Sequence, residues 1–187
     1  MNQFMHFIRI QINFLKDIFL ILQQKISKIF KRKDIITLIQ NDLKIETVTI
    51  QKMKELTGHI DAGYYNIVTN TIIISDSYSH PNMAESVFVH ELIHFFDYNN
   101  IKNISSNDVN LVNDKIKYFV SFSIDPVLFS IIYNIVIKFN MFDVPKKFTQ
   151  ELRSRGFSGK YLLYNLVEDF RAYEGQKYYN SFRSLIY

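Results

Sequence analysis

The chain has 187 residues, 48% of them hydrophobic, and a net charge of +4. This length supports a single domain with a substantial core, alone or with a helical arm, and the composition excludes a disordered chain. There is no cysteine, which removes disulfides, thiolate zinc sites and cysteine nucleophiles.

Residues 1–33 hold Arg9, Lys16, Lys25, Lys28, Lys31, Arg32 and Lys33 against Asp17 alone, so the rest of the chain is net acidic. Phe4, Phe7, Ile8, Phe14, Leu15, Ile18, Leu22, Ile26, Ile29 and Phe30 recur at helical spacing. Arg9, Lys16 and Asp17 interrupt that pattern, so no apolar run of about 18 residues exists to span a bilayer. The segment reads as a basic amphipathic helical arm, either packed on the domain or lying on an anionic membrane surface. No small-residue cleavage site marks a secretory signal, and the expected location is cytoplasmic or peripheral at a membrane surface. Positive charge confined to one arm gives no expectation of a nucleic-acid partner.

Residues 34–187 read as the main domain. Asp34 is placed to cap a helix over 35–43, and residues 45–50 read as a strand. Strands over 63–67 and 71–75 form a hairpin turning near Thr69-Asn70. Asn82 followed by Glu85 is a capping-box pattern for a helix over 83–98, with Asn99-Asn100 as its stop. Helices are expected over 106–122 and 127–139, broken at Asp125-Pro126. Asp125 is the one charge between Tyr118 and Ile137, but Pro126 and Asn134 favour two buried helices over a membrane span. Gly156 to Gly159 marks a loop before a last helix over 160–182. The fold class is therefore α+β, mostly helical with a small twisted sheet.

The chemistry concentrates in His90-Glu91-Leu92-Ile93-His94. On a helix, positions four apart share a face, so His90 and His94 can direct imidazole nitrogens at one Zn²⁺. Glu91 projects from the neighbouring edge, where it can reach a metal-activated water as general base without ligating the metal. Only five histidines occur in the chain, and a chance match to this pattern has a likelihood of roughly 0.005. Leu92, Ile93, Phe95 and Phe96 would bury the helix. Asp97 lies on the face of the two histidines and is placed to fix an imidazole or a neighbouring segment.

A catalytic zinc takes three protein ligands and keeps one open position, so a third ligand must come from elsewhere. The last helix, with Glu168 and Asp169, is the expected source. The stretch Gly63-Tyr64, Thr71-Ile-Ile-Ile and Glu85 to Asp97 resembles the gluzincin-type peptidases of the mitochondrial ATP-synthase assembly family, as does Asp169-Phe-Arg171-Ala172. Lethal-factor-like peptidases are more loosely similar. The resemblance covers about residues 62–98 and 165–176, and the interval between His94 and the acidic helix is longer here. It implies a zincin-like fold, a zinc-dependent endopeptidase and a peptide or protein substrate. The small residue three positions after the family's ligand selects Asp169, through Ala172. The tyrosine that lethal-factor-like peptidases place seven positions before the ligand selects Glu168, through Tyr161. Tyr161 and Tyr164 are candidates to hydrogen-bond the transition state. The resemblance also implies a cleft-edge strand at Thr71–Ser75 that pairs with extended substrate; the residues alone fit a plain core strand equally well. The alternative to an enzyme is a catalytically inactive zincin-fold protein acting as a membrane-associated interaction module.

Overall fold

The computed structural model describes residues 34–58, 61–76, 81–157 and 159–186, without the side chains at positions 160, 161, 163 and 164. The basic arm over residues 1–33, and with it the expected membrane contact, lies outside the described residues. Residues Asp34–Tyr187 form one compact unit.

The unit opens with a short helix, α1 (Ile35–Thr37), capped as expected by the Asp34 side chain and continued by a π turn over Leu38–Asp42. Strand β1 (Lys44–Val48) follows. It ends two residues earlier than the sequence pattern predicts, because Thr49 caps a helix not foreseen, α2 (Ile50–Thr57), by accepting from the Lys52 amide at 3.2 Å. The hairpin forms as expected from β2 (Gly63–Asn66) and β3 (Thr71–Ser75), with Asn70 at φ 52° in the turn. The sheet order is β1-β3-β2, with β1 parallel and β2 antiparallel to β3.

That order decides between the two readings of Thr71–Ser75 in favour of the plain core strand, and corrects the cleft-edge strand that the resemblance implies. β3 is central, buried at every position, and both of its edges are hydrogen-bonded. Its unbroken apolar run Ile72-Ile73-Ile74 fits such a strand. Among the described residues the edges of the sheet are β1 and β2.

Helix α3 (Pro81–Tyr98) lies against β2 and β3. It includes Pro81, which suits a first helical position because its missing N–H would have no partner there. Asn82 and Glu85 therefore lie inside the helix. Glu85 is buried and is taken by helix α7, as described below. Helix α4 (Ser106–Ile116) carries a full capping box between Ser105 and Asp108. It is shorter than the expected 106–122, because the Asn113 amide bonds both the N–H and the C=O of Ile124 and draws the chain back into the core. Helix α5 (Pro126–Val136) starts at the Asp125 cap with proline in its first turn. Helix α6 (Lys146–Ser154) was not foreseen, and α7 (Lys160–Ile186) runs longer than the expected 160–182. Among the described residues no helix is long and apolar enough to cross a membrane, and the 118–137 segment divides into loop and α5.

The core gathers Phe88, Leu92, Ile93, Phe95 and Phe96 of α3 with Ile72 and Ile74 of β3, Phe129 and Tyr133 of α5, and Ala172 and Tyr179 of α7. Two glycines allow close approach to α3. A Cβ at Gly63 would lie 2.5 Å from Val87 Cγ1 and 3.0 Å from Glu91 Cγ. One at Gly175 would collide with Ile93 Cδ1. The mixed α+β class stands as expected, with most of its mass in helices.

Candidate active site

Helices α3 and α7 run side by side and are matched turn by turn. Ser86, His90, His94 and Tyr98 recur every four residues along one face of α3. Ser86 Oγ accepts from Asn180 at 2.7 Å and from Gln176 at 2.9 Å. His90 Nδ1 lies 3.2 Å from Gln176 Oε1. His94 Nε2 lies 3.5 Å from Asp169 Oδ1. Tyr98 donates to Asn165 at 2.7 Å. The descending partners Asn180, Gln176, Asp169 and Asn165 show that the helices are antiparallel.

Two ion pairs with buried carboxylates hold this alignment. Arg171 forks onto Asp97 at 2.8 and 3.0 Å and also donates to the Phe139 carbonyl at 2.8 Å. Asp97 thus fixes the helix that carries Asp169, rather than an imidazole. At the other end, Glu85 accepts from the Tyr179 hydroxyl at 2.7 Å and pairs with Arg183 at 3.0 Å.

The structure brings His90, Glu91, His94 and Asp169 together across a sequence interval that includes α4, α5 and α6. The rings of His90 and His94 are 4.9 Å apart, centroid to centroid. Of the two acids that competed on sequence, Asp169 is the one turned toward His94, and it is 3% exposed. Ala172, one turn later, is fully buried and completes that face. Glu168 is half-buried on the adjoining edge of α7. The side chain of Tyr161 lies outside the described residues.

Burial sets the charge states. It lowers His90 to about 4, against the opposing effect of the Gln176 hydrogen bond. It drives His94 well below the ordinary imidazole value, with His90 adding to the shift. Both rings are neutral at pH 7, as metal ligands must be. Glu91 is raised to about 8 by burial first and then by Asp169 and Asp61, while a backbone hydrogen bond from Tyr65 of β2 opposes the rise. A cation among these groups would favour the ionised carboxylate.

The donor set fits zinc in type: two neutral imidazoles and a carboxylate. The spacing of two donors also fits. Ligands each about 2.0–2.1 Å from a tetrahedral zinc stand about 3.3–3.4 Å apart, close to the 3.5 Å between His94 Nε2 and Asp169 Oδ1. His94 Nδ1 is buried without a hydrogen-bond partner, so the ring is under-used by the protein alone. Among the described residues, however, no three His, Cys, Asp or Glu side chains are gathered tightly enough to form a complete metal site.

Two neighbours of the site were not singled out as functional from sequence. The Tyr173 ring packs edge-on against His90 at 4.8 Å, and its hydroxyl accepts from Arg155 at 3.2 Å. Gln176 bonds His90 directly. The signal was present: Asp169, Tyr173 and Gln176 stand at i, i+4 and i+7, one stripe of a helix. A cleft of about 510 Å³ between α6 and α7, lined in part by Phe148, Leu152, Arg155, Tyr173 and Gln176, opens beside them. No known protein family, curated protein or solved structure matches the chain.

Proposed function

We propose that the chain is a zinc-dependent endopeptidase of zincin-like fold, with His90, His94 and Asp169 as the metal ligands and Glu91 as general base. The observation that carries this reading is the 3.5 Å approach of Asp169 Oδ1 to His94 Nε2, beside His90 and the buried Glu91. A histidine pair at helical spacing, a base between its members and a carboxylate from a distant helix are the residue types that a catalytic zinc site uses. An ordinary packed helix has no use for Glu91 there.

Bound zinc would supply Lewis acidity, polarising the scissile carbonyl and acidifying water. The protein's groups do the rest. Glu91 takes a proton from water as its oxygen bonds the carbonyl carbon, then delivers that proton to the amide nitrogen as the C–N bond breaks. Asp97 and Arg171 hold α7 in the register that presents Asp169. The neutral rings of His90 and His94 keep a lone pair for the metal. The reaction consumes one water per peptide bond and needs no other co-reactant.

Metal content of the purified protein tests the site. One zinc per chain is expected, with His90→Ala, His94→Ala and Asp169→Ala each losing it and Glu168→Ala retaining it. Retention by Asp169→Ala and loss by Glu168→Ala would transfer the ligand role to Glu168. Full zinc in a His90→Ala, His94→Ala double variant would refute the site.

A further inference from the structure

We infer that Gln176 is a positioning residue for His90: its amide oxygen holds the imidazole as the Nδ1–H tautomer and leaves Nε2 as the ring's lone-pair donor. Nothing in the His-Glu-Leu-Ile-His pattern specifies this. A neutral imidazole has one N–H and one lone pair, and the partner of one nitrogen decides the role of the other.

The geometry assigns those roles. Gln176 Nε2 lies 2.9 Å from Ser86 Oγ, one turn before His90 on the same face of α3. In this arrangement the amide nitrogen faces the hydroxyl and the amide oxygen, Oε1, faces His90. That oxygen only accepts, so His90 Nδ1, 3.2 Å away, must carry the proton. Asn180 Nδ2 lies 2.7 Å from the same hydroxyl oxygen. The two lone pairs of Ser86 Oγ can accept from both amide nitrogens at once. The Tyr173 ring closes on His90 edge-on at 4.8 Å and restricts the imidazole's rotation. Ser86, Gln176 and Asn180 form a relay from α3 to α7 and back to the histidine.

A neutral amide in this position orients the ring without adding a negative charge. Asp169 already supplies a carboxylate to the site, and a second one against His90 would bring further negative charge close to Glu91, which burial first and then Asp169 and Asp61 already push upward. The consequence for metal affinity rests on the zinc reading. The tautomer does not.

The test is nitrogen-15 NMR of the intact, metal-free protein, read at the His90 ring, together with zinc affinity by competition with a chelator of known strength. The expected wild-type signature is a protonated Nδ1 and an unprotonated Nε2. Gln176→Leu should lose that bias and weaken zinc binding about 10–100-fold, the usual effect of removing an outer hydrogen-bond partner of a ligating histidine. Gln176→Glu keeps an acceptor and should preserve the Nδ1–H tautomer, which a merely space-filling role would not require. A wild-type His90 protonated on Nε2 would overturn the proposal. So would a folded Gln176→Leu variant with unchanged tautomer. A wild type with the Nδ1–H tautomer but no zinc affinity would support the role of Gln176 and refute the zinc reading.

Discussion

Glu91 stands among apolar side chains, two histidines and a second carboxylate, with its own carboxyl raised to about 8 mainly by burial. An unfolded glutamate titrates near about 4.3. The fold therefore favours the protonated form, and the penalty for ionising it is absent below about pH 4. That penalty grows as pH rises toward 8. Metal-free wild type should lose stability across this window relative to Glu91→Gln, which has no proton to release. Thermal melts of both proteins between pH 5 and 8 test this: the Gln variant's advantage in Tm should widen with pH and shrink when zinc is added. A difference that stays constant would show that Glu91 is not buried as a strained acid. The spacing of His90, Glu91 and His94 is legible from sequence because all three lie on one helix. The pairing of His94 with Asp169, and of His90 with Gln176, is set by how two helices align. Spacing within one helix cannot express that alignment.

At the scale of elements, the alignment of α3 with α7 decides the site, and the buried Asp97–Arg171 pair is its strongest polar fixture. Arg171→Leu should leave Asp97 as a buried charge without its guanidinium, at a cost of about 3–5 kcal/mol. Denaturant unfolding should report that loss, and zinc affinity should fall with it because Asp169 is two residues away on the same helix. Unchanged stability and metal affinity would show that apolar packing alone sets the register. Several elements were legible from local chemistry: the Asp34 cap, the hairpin turning at Asn70, and the Asp125-Pro126 helix start. Others were not. Glu85 matches a capping box in its spacing, but its carboxylate is committed to Tyr179 and Arg183, which stand far along the chain. Helices α2 and α6 are short and largely polar, so their apolar faces are brief signals. β3 is central because β1 reaches it in parallel register by a crossover, and no local pattern specifies that pairing.

The whole molecule combines a compact, net acidic unit, Asp34–Tyr187, with residues 1–33, which carry all of the net positive charge. Deleting residues 1–33 should leave the unit Asp34–Tyr187 folded. If the segment is a membrane-surface helix, the full chain should bind anionic vesicles, less tightly as salt rises, and the deletion should abolish that binding. Loss of folding on deletion would make the segment part of the core instead. The enzymatic reading has its most direct test in cleavage of a mixed peptide library by zinc-loaded wild type and by Glu91→Gln, with metal content measured in the same preparations and a chelator control. Wild type should cleave, and the chelator should stop it. Glu91→Gln should keep its zinc and lose about 10²–10⁴-fold in turnover, the usual contribution of a positioned acid–base group. A Glu91→Gln protein with full metal and undiminished turnover, or a zinc-loaded wild type that cleaves no peptide in the library, would contradict the account.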